Sequence, residues 1–387
     1  MNNKGFTLAE LLAVIIIIAI IAVMVTPMVT GVIENAKKAA FERSVEGIVS
    51  TIGIDASLKQ YAVDYIYAIN DGVIDNLDKN IKVSHADGFN GKIRYTKGSE
   101  VSYAIYNNKW CMIKSGEDIN IIEYVDGECE LPKLPYEDNG SIIYFDVTTG
   151  TKCKNYHEDN SLTGYNGTSS TKTTDNQNGC LKFYSFNYEE TDTKVNLLLD
   201  HNTTAATYWS NLGQNASGPD GALTQLKADT NSWIGTEILE NYTVTQEGYG
   251  NYTIPYGDEK YKARLISANE VAKITQNMSF DENTTSHRSY FFFDTNTQTA
   301  STTCIEGNIT GCQYGWLYDR TSPICKSSGC LNNAKPSTWG YWTGTSTFTN
   351  PSDAWIVLSG GSIGDDGVVV DSAYGIRPVI EVLKFKL

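Results

Sequence analysis

Hydrophobic positions change their rhythm along the chain, and each rhythm predicts a different structure. From Leu11 to Ile33 no residue is charged, and Leu, Ile, Val and Ala follow one another without a period. At about 1.5 Å per residue, a helix of that length crosses the hydrocarbon of a bilayer. The run is too long for the core of an ordinary secretory signal. Its VMVTPMVTGV end offers no convincing small-x-small cleavage site, so the helix is expected to be retained. Beyond Glu34 the apolar residues thin to a stripe. Phe41, Val45, Ile48 and Ile52 recur at helical spacing and predict one apolar face. A second stripe follows, made of Ile54, Leu58, Tyr61, Tyr65 and Ile69, and the phase slip near Gly53 predicts a bend or break there. The helix is thus expected over 6–33 in the membrane and over 34–80 as an amphipathic continuation.

At about residue 80 the pattern shortens to alternation. KIRY, VSYAIY, KWCMI and INIIEYV, with a turn at Asn107-Asn108, predict an antiparallel meander over 85–135. Pro132 and Pro135 mark its boundary. Residues 136–180 are polar and read as a loop region. Residues 181–387 read as one larger mixed domain. VNLLLDHN, YGWLYDR, YWTGTS, AWIVLSG and YGIRPVIEVLK are among its elements, and Ser267 is a polar cap for a helix through VAKIT. The fold class is α+β: a long N-terminal helix packed on a small antiparallel sheet, then a larger disulfide-bonded domain.

Charge sharpens this picture. The net charge of −15 argues against nucleic acid as a partner. Basic and acidic residues balance over the first 60 positions, so the acidic excess lies in the part rich in Asn, Thr, Ser, Gly and Tyr, as suits a domain facing the outside. All eight cysteines lie beyond residue 110. An even number in an exported chain reads as disulfides rather than metal ligands. Cys111 pairs naturally with Cys129, and Cys153 with Cys180. Cys304, Cys312, Cys325 and Cys330 allow three pairings.

Candidate chemistry is sparse. There is no G-x-S-x-G, H-E-x-x-H or P-loop sequence. His85, His157, His201 and His287 are scattered among polar residues and read as solvated surface. No catalytic residue, cofactor or metal is expected. Asp365 and Asp366 in GSIGDDG, with Asp371, have the hard oxygen donors that Ca2+ needs, but not a regular spacing, and read as a solvated hairpin turn. Tyr314, Trp316, Tyr318, Trp339, Tyr341, Trp342 and Trp355 form either core or a carbohydrate-stacking platform. Trp339, Trp342 and Trp355, with Asp365 and Asp366, are the candidate ligand surface.

The opening MNNKGFTLAELLAV resembles the type IV prepilin signal, shared by type IV pilins and type II secretion pseudopilins. The resemblance covers about the first 35 residues. It implies a leader of residues 1–5 with Lys4 as its basic residue, cleavage after Gly5 by a membrane-embedded prepilin peptidase, and methylation of the new amino terminus at Phe6. Glu10 falls where the family carries its glutamate, and Pro27 where it carries a helix-kinking proline. The implied partners are the peptidase, other pilin subunits, and an assembly platform with its ATPase. The implied location is a single pass of the cell membrane, with the C-terminal domain outside and a filament after assembly.

Physical chemistry gives Glu10 a reason. A carboxylate beside an apolar phase is costly unless paired. Cleavage would give Phe6 a positive amino group, and pairing with Glu10 of a neighbouring subunit would fix axial register. The alternative is that Glu10 marks only the interface of a plain membrane anchor. Pro27 is likewise either a functional kink or a tolerated membrane-helix proline. Farther on, ARLISANE, GYWTGTS and YGIRPVIEV resemble C-terminal domains of predicted surface proteins of gut Firmicutes. They also resemble the C-type-lectin-like fold shared with formylglycine-generating enzymes, in which Trp339, Trp342, Trp355 and Arg377 would occupy the Trp-rich blocks and the terminal Gly-x-Arg. The function expected is a minor pilin or pseudopilin whose large head serves adhesion to an extracellular glycan or protein. The alternatives are a membrane-anchored lectin-like receptor that does not polymerise and, with no motif behind it, a surface-modifying enzyme.

Overall fold

The computed structural model describes residues 7–59, 65–75, 81–83, 86–95, 101–153, 180–189, 192–200, 202–204, 206–236, 238–246, 250–257, 261–282, 314–317, 340–358, 363–369 and 374–387. They fall into two units, Met1–Pro132 and Lys133–Leu387.

The first unit begins with one long helix, α1 (Leu8–Lys59, 52 residues). Its second half buries Phe41, Val45, Ile48, Ile52 and Ala56. These residues keep helical spacing across Gly53, so the helix runs through that glycine without the expected break. A helical glycine costs only about 1 kcal/mol against alanine, less than the stripe on either side gains by burial.

The amphipathic helix does not reach residue 80. Strand β1 (Tyr65–Asn70) begins a seven-stranded antiparallel sheet. The others are β2 (Val73–Ile74), β3 (Ile81–Lys82), β4 (Asn90–Tyr95), β5 (Ser102–Tyr106), β6 (Trp110–Ser115) and β7 (Asp118–Glu123), in the order β3-β2-β1-β4-β5-β6-β7. The misreading has a simple cause. Tyr61, Tyr65 and Ile69 are four apart, and four is a multiple of the strand period as well as close to the helical one. Tyr67 and Ile69 are the buried pair, which is period two. The hairpin signal is Asp71-Gly72. Both residues have positive φ (49° and 73°), as a two-residue primed turn demands. A Cβ on Gly72 would lie 2.3 Å from the Ala86 carbonyl oxygen, so glycine is required there. The meander β4 to β7 forms as the alternation predicts. The helical stripe packs with Tyr67, Ile69, Ile74, Ile93, Tyr103, Ile105 and Met112 into one core. A disulfide joins Cys111 on β6 to Cys129 beyond β7.

The second unit starts at Lys133, not at residue 181. The supposed polar loop contains β8 (Ile142–Asp146) and β9 (Thr151–Lys152). IIYFD carries a strand's alternation, with Ile143 and Phe145 buried, which the polar average of the region hides. These strands join β10 (Cys180–Phe186), β11 (Lys194–Leu199) and β18 (Val379–Leu383) in an antiparallel sheet ordered β18-β11-β10-β8-β9. Cys153 and Cys180 are bonded, and residues 154–179 lie outside the described part. Next come α2 (Asp220–Thr230), the hairpin β12 (Tyr242–Gln246) with β13 (Gly250–Ile254), and α3 (Ala268–Gln276). A second sheet, ordered β16-β15-β14-β17, consists of β14 (Gly340–Ser346), β15 (Asp353–Leu358), β16 (Ile363–Gly367) and β17 (Tyr374–Gly375). Pairing of β14 with β17 is parallel.

Helix α3 starts at the expected cap. Ser267 and Glu270 exchange side-chain to backbone hydrogen bonds, a complete capping box. Glu270 also holds Arg264 through both carboxylate oxygens, at 2.7 and 2.9 Å. Arg264 is buried and donates further to Glu381 at 2.8 Å and to Asn196 at 2.9 Å. Glu381 is itself bonded by Lys194 at 3.0 Å and Tyr242 at 2.6 Å. Burial alone would raise the Glu381 carboxyl. The Arg264 charge and the Tyr242 and Lys194 contacts outweigh it and hold the group below the usual carboxylate range.

Candidate functional site

The candidate site is the start of α1, where a polar turn meets a wholly apolar helix. Thr7 caps the helix. Its Oγ1 accepts from the Glu10 backbone N–H at 3.3 Å. Glu10 Oε2 accepts in return from the Thr7 N–H and the Thr7 hydroxyl, both at 2.9 Å. This reciprocal pair is a capping box of the Ser/Thr-x-x-Glu kind. The carboxylate also sits at the positive end of the helix dipole. The Thr-Leu-Ala-Glu sequence carries that signal, and sequence reasoning passed over it in favour of the intersubunit pair. Glu10 therefore has a local partner within its own chain. Only Oε2 is used in it, and Glu10 is exposed.

Above Glu10 the helix is left uncovered by the described residues. From Leu11 to Ile33, every described Leu, Ile, Val and Met is 45% exposed or more. The helix is long and apolar enough to cross a membrane. Its polar side chains are compatible with that setting. Thr26 and Thr30 turn their hydroxyls back onto the carbonyls of Ala22 and Thr26, so these donors need no water. Pro27 lies inside α1. Lys4, Gly5 and Phe6 lie outside the described residues.

At the upper end of the apolar run, Glu34 forms an ion pair with Lys109, from the β5–β6 turn. That turn is held by Asn107, whose Oδ1 accepts from the Lys109 and Trp110 backbone N–H groups at 2.9 and 2.8 Å. The ammonium groups of Lys38 and Lys109 lie 5.7 and 5.2 Å from the Trp110 ring centroid.

Two aromatic members of the candidate ligand surface face inward among the described residues. Trp342 and Trp355 are buried in the core. Their indole N–H groups donate to the Thr207 carbonyl at 2.8 Å and to Glu282 at 3.2 Å. A large aromatic gains most by burial when its one polar atom has a partner inside, and both do. Trp339 lies outside the described residues. Asp365 and Asp366 are in strand β16, opposite Trp355 and Ala354, not in a turn. Asp366 accepts from the Tyr374 hydroxyl at 2.7 Å. Asp371 lies outside the described residues. So do all four histidines and Cys304, Cys312, Cys325 and Cys330. No group of three or more metal-ligating side chains occurs among the described residues. Arg377 is buried and donates to the backbone carbonyls of Leu199, Asp200 and Trp316, which ties three segments together.

Residues 1–26 match the family model of the prokaryotic N-terminal methylation motif. No curated protein and no solved structure matches the chain significantly. The chain thus carries a type IV pilin-like prepilin signal at the head of an apolar, membrane-compatible helix.

Proposed function

We propose that a chain bearing this signal is a type IV pilin-like filament subunit, either a minor pilin or a pseudopilin. Prepilin peptidase cuts between Gly5 and Phe6 and methylates Phe6. The helix from Leu11 to Ile33 then holds the subunit in the cell membrane as a single pass, with the following units outside, until a platform and its ATPase assemble it. Glu10 of one subunit neutralises the Phe6 amine of a neighbour and fixes axial register. The role is structural rather than enzymatic. The observation that carries this reading is the signal match over residues 1–26 together with a helix that the described residues leave bare.

The size of the part beyond Pro132 supports a position at a filament tip, because a head of that size on every subunit would crowd a helical lattice. Tip placement makes adhesion to a glycan or protein the role of the head. A head-specific label in electron microscopy should then mark filament ends, and uniform labelling along the shaft would contradict tip placement.

The capping box supports a second reading, a plain membrane-anchored receptor, because it gives Glu10 a purpose without a neighbour. Two substitutions separate the readings. Glu10→Gln keeps a capping side chain and removes the charge, whereas Glu10→Ala removes both. A filament subunit requires the charge, so both variants should reach the membrane and neither should appear in sheared filaments. Incorporation of Glu10→Gln at the unsubstituted level would leave Glu10 with the cap alone.

A further inference from the structure

The first unit contains a groove of about 720 Å3 between α1 and the β5–β6 turn. Lys37, Phe41 and Ser44 line it from the helix, and Asn107, Trp110 and Glu123 from the sheet. Its floor is aromatic, with Phe41 stacked on Phe89 at 5.5 Å between centroids. Its rim is cationic. Lys37 and Lys109 line it, and the ammonium groups of Lys38 and Lys109 both lie within about 6 Å of the Trp110 ring centroid, at 5.7 and 5.2 Å. Two carboxylates stand among these three ammonium groups: Glu34, which engages Lys109, and Glu123 on the opposite wall. The Trp110 indole N–H is buried and has no acceptor among the described residues.

The height of this groove along the helix identifies its occupant. The apolar run ends at Ile33. Lys37 and Lys38 follow four and five residues later, about 6–8 Å farther along a helix. The headgroup layer on each side of a bilayer is about 5–8 Å thick. Both lysines and the half-buried tryptophan therefore stand at headgroup level, the depth that indole rings favour. Basic residues on the exported flank of a spanning helix also run against the usual bias of Lys and Arg toward the cytoplasmic side. A specific anionic contact explains their presence there.

We propose that this groove binds the headgroup of an anionic phospholipid from the membrane that α1 spans. The phosphate lies at the rim between Lys37 and Lys109, with Lys38 beside the Trp110 ring adding to the positive field, and the glycerol and ester carbons lie toward Phe41 and Phe89. The apolar floor is what a free phosphate would leave unused. The inference rests on the membrane-resident helix proposed above, but not on filament assembly.

The test uses the full chain purified in detergent, with lipid binding read by native mass spectrometry. Phosphatidylglycerol should bind at least about fivefold more tightly than phosphatidylcholine, the scale of one lysine–anionic lipid contact. Lys37→Gln combined with Lys38→Gln should bring phosphatidylglycerol down to the phosphatidylcholine level, while Lys37→Arg with Lys38→Arg should keep the preference. If the glutamine pair fails to fold, Lys109→Gln serves instead and should weaken phosphatidylglycerol binding severalfold. Equal binding of the two lipids overturns the proposal, as does a preference that survives the glutamine pair or that Lys109→Gln leaves unchanged. Equal binding of inorganic phosphate assigns the groove to a free anion and also overturns it. Displacement of the lipid by an acidic peptide at lower concentration makes the groove a protein contact instead, with the same consequence. Extraction of membranes with alkaline carbonate separates the two failures. A chain that leaves the membrane contradicts the membrane reading, whereas a chain that stays but ignores lipid charge contradicts only this site.

Discussion

The two halves of α1 are one continuous helix, yet they answer to different partners. Residues Leu11 to Ile33 are apolar on every side, and all of their described large side chains are exposed. Past Glu34 the apolar stripe narrows to Phe41, Val45, Ile48, Ile52 and Ala56; all five are buried, and the first four pack with the sheet. A helix that is apolar all round is stable only where everything around it is apolar. The first half therefore needs a solvent or a neighbour that the described residues do not supply, and the second half needs only its own sheet. The same division applies to charge. Glu10 sits exposed with one local capping partner, whereas Glu381 sits in a core that surrounds it with Arg264, Lys194 and Tyr242.

The strongest way to probe this contrast is to remove an internal partner. Arg264→Leu leaves the buried carboxylate of Glu381 and the half-buried one of Glu270 without their shared cation. Urea unfolding followed by a probe in the second unit should show a loss of about 3–5 kcal/mol. The stability of the first unit should not change, because no part of its core includes that network. Next in size is a matched pair along α1. Ile48→Ala empties a fully buried position and should cost the first unit about 2–5 kcal/mol. Ile18→Ala removes a side chain that touches no core, and the same measurement should move by less than about 0.5 kcal/mol. Equal costs at the two positions would erase the distinction between the halves.

The smallest effect concerns pH. The Glu381 carboxyl is held below its ordinary value in the folded state. Its contribution is therefore present above the unfolded carboxylate pKa and is lost as pH falls through the folded one. The second unit should lose stability on acidification in that window. Glu381→Gln should flatten that part of the profile while lowering stability at neutral pH.

Much of this division was readable in the sequence, and the misses share a cause. The membrane run, the stripe from Phe41 to Ile52, the β4 to β7 meander and the Ser267 cap are local patterns, and local patterns survive in a linear text. Residues Tyr65–Asn70 were legible in principle, since Asp71-Gly72 announces a hairpin, but the four-residue spacing of Tyr61, Tyr65 and Ile69 fits both periods. Strand β8 was hidden by the polar average of its neighbourhood, although IIYFD alternates on its own. The burial of Trp342 and Trp355 was not legible as against a binding platform. Their indole partners, Thr207 and Glu282, lie 135 and 73 positions away. Arg264 and Glu381, 117 positions apart, are the same case. At Glu10 both meanings were in the text. Thr7 with Glu10 spells a capping box, and the leader around them spells a processing signal, because the two uses need the same residues.

The central claim is that the first half of α1 belongs to partners outside the chain, reached through prepilin processing. The most direct test is intact and N-terminal peptide mass spectrometry of the protein taken from its native membrane. The account predicts a mature chain that begins at N-methylated Phe6. A chain that retains Met1 to Gly5 would contradict it and leave α1 as a plain membrane anchor.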